Sequence, residues 1–178
     1  MFLLASAKKN LSMCSFRLFG VEKPKEEVLS TEVTDEDFEN AVEDEFGVKY
    51  SKDWKRLLEA PRSLSGKYSI RNGVKVIGDR AFVWCESLTN INIPNSVTTI
   101  GEGAFAWCKS LTSINIPNSV TTIGKGVFSH CDSLTNINIP NSVTTIEDGA
   151  FYGCENLPSH IKSDICQRFG EKVFEFFE

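Results

Sequence analysis

Residues 81–103 read AFVWCESLTNINIPNSVTTIGEG. The same words return at 104–126 as AFAWCKSLTSINIPNSVTTIGKG, at 127–149 as VFSHCDSLTNINIPNSVTTIEDG, and in broken form at 150–158 as AFYGCENLP. Phe82, Phe105, Phe128 and Phe151 step by 23 residues, as do Cys85, Cys108, Cys131 and Cys154, and Leu88, Leu111, Leu134 and Leu157. A degenerate half-unit precedes them: Tyr68, Ile70, Asn72, Val74, Ile77 and Gly78 stand 23 residues before Ile91, Ile93, Asn95, Val97, Ile100 and Gly101. A fixed period of this length marks a solenoid, because no unit can bury its Leu, Ile, Val, Phe and Cys side chains without a neighbour stacked on it.

Each unit has a physical reading. Thr89-Asn90-Ile91-Asn92-Ile93 alternates polar and apolar residues, the period of a strand with one buried face. Pro94 has no N–H to donate and ends that strand. Pro94-Asn95-Ser96 is turn chemistry, and Val97 to Ile100 suit a second short extended piece. Gly101 and Gly103 permit a tight corner. Ala104 to Cys108 reads as one helical turn, with Phe105 and Cys108 three apart on one side.

The pattern CxSLTxINIPNSVTxIGxxAF, carried by residues 64–157, resembles the BspA-like (Treponema pallidum-type) leucine-rich repeat. The resemblance implies a repeat solenoid of parallel β-strands, right-handed, with a strand ladder on one face. It also implies a non-enzymatic role, since members of that family are mostly described as surface or secreted bacterial and protist proteins implicated in adhesion.

The flanks divide by charge and pattern. Net charge is +3 over residues 1–21, -9 over 22–47 and +3 over 48–62, within a total of -5 for 178 residues. Residues 1–33 are expected to be a flexible segment and 34–63 a helix plus hairpin cap. The solenoid is expected over 64–157, and a capping helix and tail over 158–178. Thr34 with Asp35, Glu36 and Asp37 forms a helix start, and Phe38, Ala41, Val42 and Phe46 follow at helical spacing up to Gly47, predicting a helix over 35–46. Residues 48–51 and 54–58 predict a hairpin covering the first exposed edge. Pro158-Ser159 opens a second helix with Ile161, Ile165 and Phe169 on one face. The apolar run 173–177 either packs on the solenoid or makes an oligomer contact. Lys8 and Lys9 interrupt the first apolar residues before a signal-peptide core can form. The cytoplasm is therefore the default compartment, against the surface location that the resemblance suggests.

No catalytic, cofactor or metal site is expected. Equivalent cysteines on stacked coils fall in a row about one strand spacing, ~4.8 Å, apart. Four thiolates on that line cannot each reach ~2.3 Å from one zinc. They are expected to act as small buried hydrophobes, while Cys14 and Cys166 lie off the ladder. Gly101-Glu102-Gly103 and Gly124-Lys125-Gly126 do not lead into the Lys-Ser/Thr of a phosphate loop. His130 and His160 stand on different elements.

Two outward columns are the partner-binding candidates. The first is polar: Asn90, Ser113 and Asn136, with Asn92, Asn115 and Asn138. These side chains either bond to one another along the ladder or meet a partner. The second is Trp84, Trp107 and His130, two residues after each Phe, where stacked rings either pack on the adjacent coil or hold a sugar or an apolar protein surface. About five strands would offer ~240 Å² of sheet face, against ~800 Å² per partner in a stable interface, so the sheet alone would bind weakly. The expected partner is a protein or glycan, with no nucleic acid and no membrane insertion. The alternative is an intracellular scaffold with weak self-association through its C-terminal tail.

Overall fold

A computed structural model describes residues 29–175. Expectations for residues 1–28, including Cys14 and the reading of the N-terminus, and for Phe176 and Phe177 lie outside the described residues. Every coil contributes a longer strand, a short strand and a turn segment, in that order. The longer strands, β4 (Gly66–Ser69), β6 (Leu88–Asn92), β8 (Ser113–Asn115) and β10 (Asn136–Asn138), form a four-stranded parallel sheet. The short strands β5 (Val76–Ile77), β7 (Thr99–Ile100), β9 (Thr122–Ile123) and β11 (Thr145–Ile146) pair in parallel in a second sheet. The repeat therefore sets the register, with Asn90 opposite Ser113, Ile91 opposite Ile114 and Thr99 opposite Thr122. The polar sheet has four strands rather than about five, which reduces its face to ~190 Å².

The core is a set of ladders. Phe82, Phe105, Phe128 and Phe151 are buried, and their rings follow one another at 5.1, 5.7 and 5.4 Å. Each buried ring contributes ~1.5–3 kcal/mol from removing apolar surface from water. The ladder of cysteines is buried and unpaired, as expected. The thiols of Cys108, Cys131 and Cys154 donate to the carbonyls of Phe82, Phe105 and Phe128 at 3.1–3.2 Å. Burial pushes the thiols up, Cys85 to about 11 and Cys154 to about 12, so they stay protonated and poorly nucleophilic at neutral pH.

The N-terminal end departs from the expected helix over 35–46. Thr34 does cap α1, and with Asp37 makes a reciprocal capping box, but α1 spans only Asp35–Glu39. Pairing with another strand overrides the local helical spacing: β1 (Val42–Glu43) lies antiparallel to β2 (Lys49–Tyr50), with Val42 opposite Tyr50. The Asp44 carboxylate holds the turn between them by accepting the N–H groups of Phe46 and Val48, both at 2.9 Å. Phe38 and Phe46 are consequently exposed rather than forming a buried stripe. The hairpin is present. β2 pairs antiparallel with β3 (Arg56–Glu59), and β3 then pairs in parallel with β5, so the cap is continuous with the short-strand sheet. Inside this end Tyr50 and Tyr68 share a hydrogen bond of 2.5 Å, and Tyr68 donates to Asp44 at 2.5 Å. Burial, and then donation to the carboxylate, raises the Tyr68 phenol far above its usual value.

At the other end α2 (Ser159–Phe169) begins after Pro158 and buries Ile165, with Ile161 and Phe169 packed against the core. Its Arg168 donates to the carbonyls of Ile139 and Pro140 at 2.9 and 3.0 Å, which blocks the chain just beyond the open edge β10. The chain then re-enters the repeat frame. Phe174 stands 23 residues after Phe151 and packs on it at 5.6 Å, Val173 is buried, and Phe151 N–H donates to the Val173 carbonyl at 2.8 Å. Packing on the solenoid is thus the fate of Val173 and Phe174.

Candidate functional site: the turn face and the asparagine face

The turn segments are not the helical turn that the spacing of Phe105 and Cys108 predicts. Along 103–108, alternate N–H groups leave for the next coil: Gly103 donates to Lys125, Phe105 to Val127 and Trp107 to Ser129, at 2.8, 2.9 and 2.8 Å. The intervening N–H groups of Ala104, Ala106 and Cys108 bond three residues back. Such alternation needs a left-handed residue at intervals, which excludes a continuous α-helix. Two positions per coil meet it. One is Arg80, Gly103, Gly126 and Gly149; the other is Trp84, Trp107, His130 and Gly153, all with φ between 56° and 73°. Phe105 and Cys108 still share the buried side, so the packing expectation holds although the helix does not form.

The second position builds the aromatic column. Trp84 stacks on Trp107 with ring centroids 4.5 Å apart and planes within 14°, and Trp107 stacks on His130 at 3.8 Å and 19°. Tyr152 meets His130 edge-on at 5.1 Å. Gly153 ends the column: a Cβ there would lie 2.7 Å from His130 Nδ1, so the missing side chain makes room for the imidazole. The rings cover one another's faces. Trp84, at the open end, is 36% exposed, while Trp107 and His130 are half-buried. Lys109 lies 5.5 Å from the Trp107 ring and bonds Glu86 of the preceding coil at 3.0 Å, which pins the rim of the column. A left-handed backbone costs a non-glycine residue ~1–2 kcal/mol, and a ring pair returns ~0.5–1.5 kcal/mol. The stacking does not cover three such residues. The backbone N–H groups of Trp84, Trp107 and His130 bond the next coil at 2.7–3.0 Å, which fixes the conformation but would do so equally for glycine, so part of the cost is retained.

Beside the column lies a cleft of about 500 Å³, lined by Trp107, His130 and Tyr152 together with Glu102, Lys125 and Asp148. Sequence reasoning singled out two of these residues. The signal for the rest was present: Gly153 falls in register with two tryptophans and a histidine, which marks the position as left-handed and turns its side chains outward.

The asparagine face is divided. Asn90 donates to Ser113 at 3.1 Å, and Asn138 donates to the Asn115 side-chain carbonyl at 2.9 Å, so part of the column bonds along the ladder. Asn92, Asn115, Asn136 and Asn138 are exposed, whereas Asn90 and Ser113 are half-buried. His160 is exposed on α2, a different element from the turn that carries His130. Among the described residues no group of three His, Cys, Asp or Glu side chains is placed to hold a metal, and no helix is long and apolar enough to cross a membrane.

Comparison with known proteins agrees with this architecture. Among solved structures the chain is similar to a leucine-rich repeat protein from Eubacterium ventriosum, at 24% identity and a TM-score of 0.52, over 66% of this chain and 38% of that one. It is also similar to a leucine-rich repeat protein from Bacteroides ovatus, at 31% identity and a TM-score of 0.48, over 69% and 42% of the two chains. A leucine rich cell surface protein from Faecalibacterium prausnitzii matches at 30% identity and a TM-score of 0.49, over 58% and 35%. The chain spans less than half the length of each. No curated protein matches it. Residues 63–177 match the family model of the BspA type leucine rich repeat region. The chain therefore belongs to the BspA-type leucine-rich-repeat family.

Proposed function

We propose that the solenoid is a non-enzymatic recognition module for a protein or glycan partner, with adhesion among its uses, and that the partner sits on the turn face carrying Trp84, Trp107 and His130. One observation carries this reading. Three consecutive coils hold a large ring in a backbone conformation that Gly153 adopts at lower cost in the fourth coil. Strain retained in this way points to use of the side chain. The exposed asparagines Asn92, Asn115, Asn136 and Asn138, with the half-buried Asn90 and Ser113 on the same strands, form a secondary surface. At ~190 Å² it is too small to hold a partner alone, and several copies together would be needed for avidity. Self-association through the tail is the weaker reading, because Val173 and Phe174 already pack on the core.

The test is a labelled full chain applied to an array of matrix proteins and glycans, beside the variant Trp84→Asn/Trp107→Asn. Asparagine tolerates the left-handed backbone, so the fold is retained, as circular dichroism will check. Loss of array binding is expected. Binding equal to the parent chain would overturn the reading.

A further inference from the structure

The aromatic column is built by one coil-to-coil relation. Trp84, Trp107 and His130 each donate their N–H to the next coil, to the carbonyls of Ala106, Ser129 and Tyr152, at 3.0, 2.8 and 2.7 Å. In the same step the Trp84 ring stacks on Trp107 and the Trp107 ring on His130. Counted back by 23 residues, the acceptors Tyr152, Ser129 and Ala106 lead to Val83. Among the described residues the Val83 carbonyl accepts no hydrogen bond.

The chain abandons the relation just before that point. Ala60 N–H donates to Ala81 at 2.7 Å, as Phe82 N–H donates to Ala104. Ala60 therefore stands in the place of the phenylalanines, and Arg62, two residues on, in the place of the stacked rings. There the coil closes on itself instead, with Leu64 N–H turned back to the Pro61 carbonyl at 2.9 Å. Trp84 has Trp107 on one face and, among the described residues, neither a ring nor a cation on the other. An open ring face and an open carbonyl thus stand together at the N-terminal end of the turn face, where the repeat calls for one more aromatic residue.

The free charge beside them is positive. Glu86 is paired with Lys109 at 3.0 Å and Glu59 with Lys49 at 2.9 Å. Arg62 is exposed and takes part in no ion pair, hydrogen bond or ring contact among the described residues. Its charge reaches the column: burial raises the Cys85 thiol, and Arg62 works against that rise. A free guanidinium takes a carboxylate through two parallel N–H groups. A sugar ring turns several hydroxyl donors to its site, whereas both neighbouring carboxylates are already engaged. An aromatic side chain of a protein brings a face to stack, and its residue a single N–H to place.

We propose that this end of the turn face binds an aromatic residue of a partner protein with an acidic residue next to it in sequence. The ring lies on the open face of Trp84, the main-chain N–H of the aromatic residue on the Val83 carbonyl, and the acid on Arg62. The inference rests on the recognition reading above and names the partner's anchor. The bound residue takes the position toward Trp84 that Trp84 takes toward Trp107.

Nuclear magnetic resonance of the full chain, labelled with nitrogen-15 at its three tryptophan indoles, tests the assignment. The probe is acetyl-Asp-Tyr-Asp-amide, and the Trp84 signal is identified by its loss in Trp84→Asn. That signal is expected to move saturably, while Trp54, whose ring lies 4.2 Å from the Arg71 guanidinium, stays in place. The same peptide with cyclohexylalanine for Tyr, apolar but not planar, should bind at least tenfold more weakly. N-methylation of the Tyr nitrogen, which removes the N–H, should weaken binding at least threefold. Arg62→Gln, at an exposed position, should remove the preference for Asp-Tyr-Asp over Lys-Tyr-Lys. No saturation with Asp-Tyr-Asp, equal binding of the cyclohexylalanine or N-methyl peptide, or an unchanged preference in Arg62→Gln would overturn the assignment. So would maltotriose moving the Trp84 signal at lower concentration than the peptide. If array binding is lost in Trp84→Asn/Trp107→Asn while Asp-Tyr-Asp does not bind the parent chain, the anchor assignment falls and the recognition reading stands.

Discussion

The two ends of the solenoid solve the same problem by different means. At the N-terminal end the chain leaves the repeat: β1, β2 and β3 run antiparallel, and Asp44, Tyr50 and Tyr68 form a chain of hydrogen bonds with no counterpart among the described residues of the other coils. At the C-terminal end the chain stays in frame, with Val173 and Phe174 on the buried ladder, and only the strand portion is exchanged for α2. One end closes by polar specificity and the other by repetition, so the first should be sensitive to chemistry and the second to shape.

The comparison can be broken most severely in the middle, which neither end protects. Phe105→Ala opens a hole between two stacked rings and should cost ~3–5 kcal/mol, read by urea denaturation. Phe174→Ala, at the ladder's half-buried last step, should cost less than half of that. Equal losses would mean that the C-terminal coil is as tightly built as the body. At the N-terminal end Tyr68→Phe keeps the ring but leaves Asp44 and Tyr50 without their shared hydroxyl, and should cost ~1–3 kcal/mol by the same measurement.

Acid should separate the ends further. Partial burial works to raise the Asp37 carboxyl, but its bonds to Thr34 and the Arg56 guanidinium outweigh this and hold it below its usual value. Asp53, although burial opposes it, is likewise held low by Ser51 and the Lys55 N–H. A lowered folded-state value contributes stability that is present above the unfolded value of about 4 and is lost as pH falls through the folded value. Hydrogen exchange corrected for intrinsic rates should show residues 34–59 losing protection as pH drops below 4, before residues 160–175 do. The smallest effect is expected from Arg80→Gly. It relieves a left-handed arginine but frees the unfolded chain, so stability should move by no more than ~1 kcal/mol in thermal melts.

Most of the fold was legible in the sequence because a repeat reads the same residue four times over. The register of Ile91 on Ile114 and the buried cysteines follow from the 23-residue period, and the capping helix at 159 from Pro158-Ser159 and the spacing of Ile161, Ile165 and Phe169. The helix over 35–46 failed because its spacing competes with the strand pairing of Val42 to Tyr50, eight residues further along the chain. No local pattern records that Asp44 will hold a turn. The helical reading of 104–108 failed for another reason: three-residue spacing is shared by a helix and by successive tight turns, and only Gly153 beneath Trp84, Trp107 and His130 reveals the difference. Phe174 was legible as the next step of the phenylalanine ladder, yet the 11-residue helix before it hides the frame. Of the candidate site, Trp84, Trp107 and His130 were found by their spacing. Glu102, Lys125 and Tyr152 gather beside them only once the coils are stacked.

The column of stacked rings has a consequence for how such a chain changes over time. Its length is counted in whole coils, from Trp84 to the Gly153 that ends it. Duplicating one 23-residue unit would lengthen it by ~4.8 Å and leave Gly153 at its end, and deleting one would shorten it by the same step. The protein thus carries a ruler whose graduations are set by unequal recombination between near-identical stretches of its own coding sequence.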